Sequence, residues 1–531
     1  DSRGLRRLIK TISDSLKEFP DYFSPEFRKS NGLALLNNAL RNIHFAESEN
    51  VLNEAVHRLK FDEHFFLQML MALRKSSLQK TGTKALNKIG PQVKLISDSL
   101  DFELTNAQKK VIKEIKDDMA RPFSMNRLLQ GDVGSGKTIV SVLAAAIAVA
   151  NDVQVAVMAP TEILAHQHLA SFKKHAETTH MTCAILVGGT PAKERRAILD
   201  GLAEGRIDII IGTHALIQKD VKFKELGLAI VDEQHRFGVL QRGDLTSKGL
   251  NPHVLAMTAT PIPRTLAITY HGDMDLSIID EMPKNRIPVV TKVVDEVRLK
   301  KVYDFMKVEV AAGRQCMVVY PLVEETEKSD LAAAVEMHKY LSEKIFPKLK
   351  VGLIHGRMKK DEKDGVMDAY ARNEIHILIS TTVIEVGIDI PNATVMLIEH
   401  ADRFGLTQLH QLRGRVGRGS EKSYCILVRR NFTDNSKKRL RIMESTNDGF
   451  VISDEDLKIR GPGEFFGIRQ SGFLKYKIAN MVTDGPILRK ARQAAFQIVK
   501  ADPNLNQPTH ELIRTRFMME YQDKLERVNI S

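Results

Sequence analysis

The 531-residue sequence predicts an α/β protein: two parallel-sheet lobes, with a helical segment before them and a smaller segment after. Two observations carry this. From about residue 98, short apolar runs alternate with helix-like stretches, and they do so in two successive series. Each run is continuously rich in Val, Ile and Leu, as strands covered on both faces are, rather than alternating apolar and polar. The first series is Val153–Met158, Ile207–Ile211, Leu226–Val231 and His253–Met257. The second is Gln315–Tyr320, Lys350–Ile354, Ile375–Ile379 and Thr394–Ile398.

The segments follow in order. Residues 1–97 read as a helical support domain, because Leu5, Leu8, Ile9, Ile12 and Leu16 recur at helical spacing, as do Leu33, Leu36 and Leu40. Phe65 to Leu73 is apolar enough for a buried helix. Residues 98–285 form the first lobe. The polar, proline-bearing stretch Met282-Pro283-Lys284-Asn285-Arg286 separates it from the second, 286–432. Residues 433–531 carry weaker strand signals and several glycines.

Composition narrows the class. Hydrophobic residues make up 43% and charged residues 27%, a globular balance that excludes disorder. The net charge of +12 favours an anionic partner, nucleic acid before membrane. Cys183, Cys316 and Cys425 form no C-x-x-C pair, so neither a zinc site nor a disulfide framework is expected, and a reduced cytoplasmic setting fits. No apolar run has the length of a membrane span. The first residues lack both an initiator Met and an apolar signal region, so the expectation is a truncated or processed N-terminus.

Three motifs carry chemistry. Gly131-Asp-Val-Gly134-Ser-Gly136-Lys137-Thr138 has the form of a phosphate-binding loop. Its glycines let successive N–H groups face phosphate oxygens, Lys137 reaches the β- and γ-phosphates, and the Thr138 hydroxyl serves Mg²⁺. ATP and Mg²⁺ are therefore the expected cofactors. The strand run Leu226–Val231 delivers Asp232 and Glu233, the first for Mg²⁺ and the second to polarise a water. Gln408 to Gly419 places Arg415 and Arg418 three residues apart, where two guanidiniums could reach a γ-phosphate from the second lobe. Upstream, Thr105 and Gln108 form a capping box. Gln108 either caps a helix or meets an adenine edge, and its neighbours favour the second. His166-x-His168 reads as exposed imidazoles on a helix rather than a metal site. The absence of Trp and the scatter of nine Tyr give no platform for stacking single strands, so tracking along a duplex backbone is expected.

In this order the motifs resemble those of superfamily 2 helicases and translocases. More closely the chain resembles the RecG family of branched-DNA translocases. The stretches Arg127–Thr138, Val231–Val239, Met257–Ala267, Asn447–Phe450, Asp456–Glu464 and Gly467–Gly472 carry that likeness. It implies RecA-like lobes, with Gly387, Asp389 and Gln411 near nucleotide. It implies that Pro160 and Thr161, Thr213 and His214, and Thr382 grip a nucleic-acid backbone. Thr258-Ala-Thr-Pro261 would link hydrolysis to movement, and His235 would either couple, by contact with its motif neighbours or the γ-phosphate, or pack. Arg460, Arg469 and Gln470 belong to a translocation motif that this family shares with the transcription-repair coupling factor Mfd. The basic cluster Arg429, Arg430, Lys437, Lys438, Arg439 and Arg441 adjoins it and is read as facing DNA.

The resemblance also implies fork and Holliday-junction remodelling in recombination and repair, by a monomer in the bacterial cytoplasm at the nucleoid. Single-stranded DNA-binding protein is a partner by family analogy. Family members begin with an oligonucleotide-binding wedge, and no set of five short strands precedes residue 98 here. Weak fork selectivity is therefore expected of this chain. An Mfd-like motor acting on RNA polymerase is the second reading, against which Ser135, Gln234 and Pro462 with Arg469 speak. A non-catalytic, ATP-binding DNA scaffold is the third, against which Glu233 and Arg418 speak.

Overall fold

The architecture is that of residues 2–15, 19–78, 82–234, 237, 239–261, 263, 267, 272, 274–283, 286–321, 327–381, 390–431, 433–465 and 476–526 in a computed structural model. Strands β1 (Asn126–Gly131), β2 (Gln154–Met158), β3 (Cys183–Leu186), β4 (Ile209–Gly212), β5 (Leu226–Val231), β6 (His253–Thr258) and β7 (Asp275–Ile279) make one sheet, in the order β3-β4-β2-β5-β6-β1-β7. Strands β8 (Val290–Asp295), β9 (Gln315–Val319), β10 (Val351–Ile354), β11 (Ile377–Ser380), β12 (Ala393–Ile398) and β13 (Tyr424–Arg429) make a second, in the order β10-β11-β9-β12-β13-β8. From β3 through to β1, and throughout the second sheet, the pairings are parallel.

Both faces of each sheet are covered, which is why the strands read as continuous apolar runs. Val155, Val157, Ile209, Ile211, Leu228 and Ile230 enter one core of the first lobe, and their neighbours Ala156, Met158, Ile210, Ala229 and Val231 enter another. The second lobe divides likewise, with Met317, Val319, Met396 and Ile398 on one side and Cys316, Val318, Val395 and Leu397 on the other. Each apolar run named from the sequence is a strand. β1, β3, β7, β8 and β13 were not read. β1 shows why: it buries Arg127 (8% exposed) and Gln130. The Arg127 guanidinium is satisfied by Asp118 at 2.6 Å, Glu114 at 3.2 Å and the Ser277 hydroxyl at 2.7 Å, so polar letters conceal an interior strand.

By its contacts the chain divides into two compact units. One holds residues 82–262 and 276–459, and therefore both lobes. The helix Asp434–Ser445 buries Leu440 and Met443 in the second lobe's core. The other unit holds residues 1–81, 263–275 and 460–531. There the long helix Glu49–Leu78 buries Phe61, Phe65, Met69 and Leu70, and Phe61 and Phe65 meet the Phe23 ring edge-on. Arg58 on that helix is fully buried. It donates to Asp21 at 2.8 Å, Asp62 at 2.9 Å and the Ala34 carbonyl at 2.6 Å. Removing one side of a buried charge network leaves the other uncompensated, so Arg58→Ala is expected to cost about 3–5 kcal/mol in denaturant unfolding of this unit. A loss below about 1 kcal/mol would show the network to be dispensable.

Among the described residues no helix is long and apolar enough to cross a membrane.

Candidate nucleotide site

Sheet order brings together motifs that lie far apart in sequence. β5, β6 and β1 are neighbours, and their carboxyl ends carry Asp232-Glu233, Thr258-Ala259-Thr260 and the loop 132–136. The chain then crosses from β1 over β6 and β5 to β2 through the helix Lys137–Val149. That reversal is the switch point where open α/β sheets bind ligands.

The loop needs its glycines. Gly134 and Gly136 have φ of 78° and 85°, and a Cβ at Gly136 would run into the Gln108 amide. Lys137 Nζ donates to the carbonyls of Gly131 and Asp132, both at 2.8 Å. Burial lowers its affinity for the proton, while the charges of Glu233, Asp232 and Asp132 oppose that shift.

Asp232 is fixed at both oxygens. Oδ2 accepts from His168 Nε2 at 2.8 Å and Oδ1 from the Glu233 N–H at 3.0 Å. Burial alone would raise its pKa, but the His168 hydrogen bond, with the Lys137 charge, holds it below the usual value. Glu233 is pushed the other way, by burial first and then by the Asp232 charge. Its φ of 49° is left-handed, a strained setting for a side chain, and the Ala259 N–H donates to its Oε2 at 3.3 Å. Two neighbouring carboxyls pushed in opposite directions are an arrangement that can serve metal binding and proton transfer separately.

One cavity of about 1640 Å³ joins these groups. The first lobe contributes Gly134, Gly136, Lys137, Thr138, Asp232 and Glu233, and the second contributes Gln411, Arg415 and Arg418. The charges feel one another: Arg415 acts on Glu233, and Arg418 on Lys137. Gln108 lies behind the loop, 1% exposed. Its Oε1 accepts from the Thr105 N–H at 2.9 Å and its Nε2 donates to the Ser135 carbonyl at 2.8 Å. The capping box thus forms and braces the phosphate loop, and the nearby cavity wall is Phe102, Thr105, Asn106 and Lys109.

The donor set fits Mg²⁺. Thr138 and an ionised Asp232 are hard oxygen donors on one cavity wall. Among the described residues no cluster of three or more His, Cys, Asp or Glu could hold a metal, so the remaining ligands would be phosphate oxygens and water, as is usual for Mg²⁺.

The sequence reading missed a linkage between the lobes. Asp132 Oδ1 accepts from His410 Nε2 at 2.5 Å, and its Oδ2 accepts from the Gly449 N–H at 3.0 Å. Arg413 Nη2 lies 2.9 Å from His410 Nδ1. A guanidinium only donates, so Nδ1 is the acceptor and Nε2 carries the proton toward Asp132. Arg413 also holds the carbonyls of Met443 and Thr446, each at 2.9 Å. His410 and Gly449 stand inside stretches already noted for their motifs, but nothing in their spacing marks this pairing.

His168 departs from expectation too. It is 6% exposed and bonded to Asp232, whereas His166 is exposed as read. Arg429, Arg430 and Arg439 of the basic cluster are committed within their own unit, to Asp295, to Glu399, and to the carbonyls of Phe404 and Asp402.

Of the backbone-gripping candidates, Pro160 and Thr161 follow β2, and Thr213 and His214 follow the adjacent β4, so the two pairs emerge side by side. Thr161 caps the helix Glu162–Thr179, and His214 is exposed. The buried Thr213 hydroxyl has no partner among the described residues. Arg460 is half-buried on the helix Gly449–Phe465, just before a break at Gly461, and belongs to the other compact unit. Thr382, Gly387, Asp389, Arg469, Gln470 and His235 lie outside the described residues.

Residues 105–268 match the DEAD/DEAH box helicase model, 297–420 the helicase conserved C-terminal domain, and 446–531 the C-terminal part of domain 3 of the ATP-dependent DNA helicase RecG. The chain is 46% identical to the ATP-dependent DNA helicase RecG of Synechocystis over 98% of its own length, spanning 63% of that protein. It is 46% identical to the Bacillus subtilis protein of that name, spanning 75% of it. A solved structure of RecG bound to a three-way DNA junction superposes with a TM-score of 0.70 at 41% identity, covering 92% of this chain and 64% of that one.

Proposed function

The chain belongs to the RecG family of ATP-dependent DNA helicases, and from that premise we propose that it is a Mg²⁺- and ATP-dependent motor that moves along double-stranded DNA and remodels branched DNA such as stalled forks and Holliday junctions. The observation that carries the reading is the single cavity into which one lobe sends Lys137, Asp232 and Glu233 and the other sends Arg415 and Arg418.

In this reading Gly134, Gly136 and Lys137 hold the phosphates. Thr138 and Asp232 hold Mg²⁺, which when bound neutralises charge developing on the phosphate oxygens. Glu233 takes a proton from water, and Arg415 and Arg418 meet the transferring phosphoryl group. Gln411, Gly387 and Asp389 complete the nucleotide's surroundings, and Gln108 steadies the loop from behind. Pro160, Thr161, Thr213, His214 and Thr382 hold one DNA strand, while Arg460, Arg469 and Gln470 engage the duplex. The motor acts as a monomer in the bacterial cytoplasm, in four segments, 1–97, 98–285, 286–432 and 433–531. An Mfd-like role on RNA polymerase is not favoured, because the C-terminal match is to RecG.

The test is ATP hydrolysis with Mg²⁺, compared without DNA and with linear duplex, single strand and a model fork. Stimulation by duplex is expected, and hydrolysis indifferent to DNA would overturn the reading. Phosphate contacts should dominate, so log Kd should rise with log salt at about 0.9 per neutralised phosphate. A flat salt dependence would remove the backbone-tracking model.

A further inference from the structure

His168 has no part in the chemistry above, yet it is buried against the group that would hold the cation. Three features single it out. Its Nε2 lies 2.8 Å from Asp232 Oδ2, while the other Asp232 oxygen is held by the Glu233 N–H, so the carboxylate's orientation is tied to the imidazole. It lines the same cavity as Thr138 and Lys137. It also sits on the helix Glu162–Thr179, whose first turn is capped by Thr161. Seven residues along a helix are about 10 Å, so one rigid rod joins a candidate DNA contact to a candidate metal ligand.

We propose that His168 is a positioning residue that orients the Asp232 carboxylate for the divalent cation and links that orientation to DNA bound at the Thr161 end of its helix. Mg²⁺ demands near-octahedral oxygen geometry. A carboxylate fixed by a second hydrogen bond meets that demand without losing rotational freedom on binding. DNA pressing on the helix N-terminus shifts the imidazole along the helix axis, and the carboxylate follows. The proposal rests on the nucleotide-site reading above.

The experiment uses the full chain and Mn²⁺ as the probe, with ADP present, and follows bound Mn²⁺ by electron paramagnetic resonance with and without duplex DNA. His168→Ala should weaken Mn²⁺ binding about 10–100-fold, the usual effect of removing such a partner. Metal-free ADP affinity should stay unchanged. His168→Gln keeps an N–H donor and should return Mn²⁺ affinity to within about threefold of the parent, even if the alanine variant folds poorly. DNA should tighten Mn²⁺ binding in the parent and the glutamine variant but not in the alanine variant. Parent-like Mn²⁺ affinity in His168→Ala, or a His168→Gln variant no better than it, would overturn the orienting role. A DNA effect that survives in His168→Ala would overturn the link. A parent chain that binds no Mn²⁺ with ADP would instead refute the nucleotide site itself.

Discussion

Glu233→Gln is expected to bind ATP with Mg²⁺ as the parent does and to lose about 10²–10⁴-fold in turnover, the range a positioned general base contributes. The substitution keeps the shape and the acceptor that faces the Ala259 N–H, and removes only the ability to take a proton. Burial and the Asp232 charge raise the Glu233 pKa, so its base form is lost as pH falls through that raised value. The acid limb of the parent's kcat profile should therefore be displaced upward from the ordinary glutamate value. The sign for stability is opposite to that of a salt-bridged acid. The native state holds the proton more tightly than the unfolded chain, so the ionised group detracts from stability at neutral pH. Glu233→Gln should then melt at the same temperature as the parent or higher, which separates lost chemistry from lost folding. Turnover within tenfold of the parent would take Glu233 out of the base role.

The parts of this site that were legible in the sequence are those whose chemistry demands a fixed local spacing. A phosphate loop must set four residues between Gly131 and an unbroken Gly136-Lys137-Thr138, because backbone N–H groups and two adjacent side chains serve one ligand. Asp232 and Glu233 end an apolar strand and so announce themselves. Interior strands buried on both faces were equally plain, whereas β1, carrying Arg127 and Gln130, was not, because its partners Asp118 and Ser277 come from elsewhere in the chain. The same limit hid His168 and the Asp132–His410 pair. Residues 132 and 410 meet only through the fold, and no local pattern distinguishes a histidine that reaches across lobes from one in solvent. Gln108 shows a subtler limit. The capping box with Thr105 is local and stood in the sequence, although its neighbours favoured an adenine edge for Gln108; the bond to the Ser135 carbonyl that ties the cap to the phosphate loop is long-range.

Arg415→Ala and Arg418→Ala should each reduce turnover by about 10³–10⁵, roughly 4–7 kcal/mol, with nucleotide affinity changed far less. The argument begins with the second lobe's helix Leu406–Arg413, which His410 fastens to Asp132 of the phosphate loop. Arg415 and Arg418 follow that helix directly and line the cavity opposite Glu233 and Lys137, whose proton affinities already register their charge. Arg418 is held in place by its own bond to the Gly414 carbonyl at 3.2 Å, and cations fixed in advance beside the cavity stabilise negative charge as it develops on a phosphoryl group in flight. Lysine should not substitute. A point charge on a flexible stem lacks the planar fork that grips phosphate oxygens, so Arg418→Lys should recover less than a tenth of the parent rate. His410→Ala, which loosens the helix without removing either guanidinium, should fall between parent and arginine variants in single-turnover hydrolysis. Single-turnover rates of Arg415→Ala and Arg418→Ala close to the parent's would mean that the second lobe only closes the cavity, and that charge on the phosphoryl group is met from the first lobe alone.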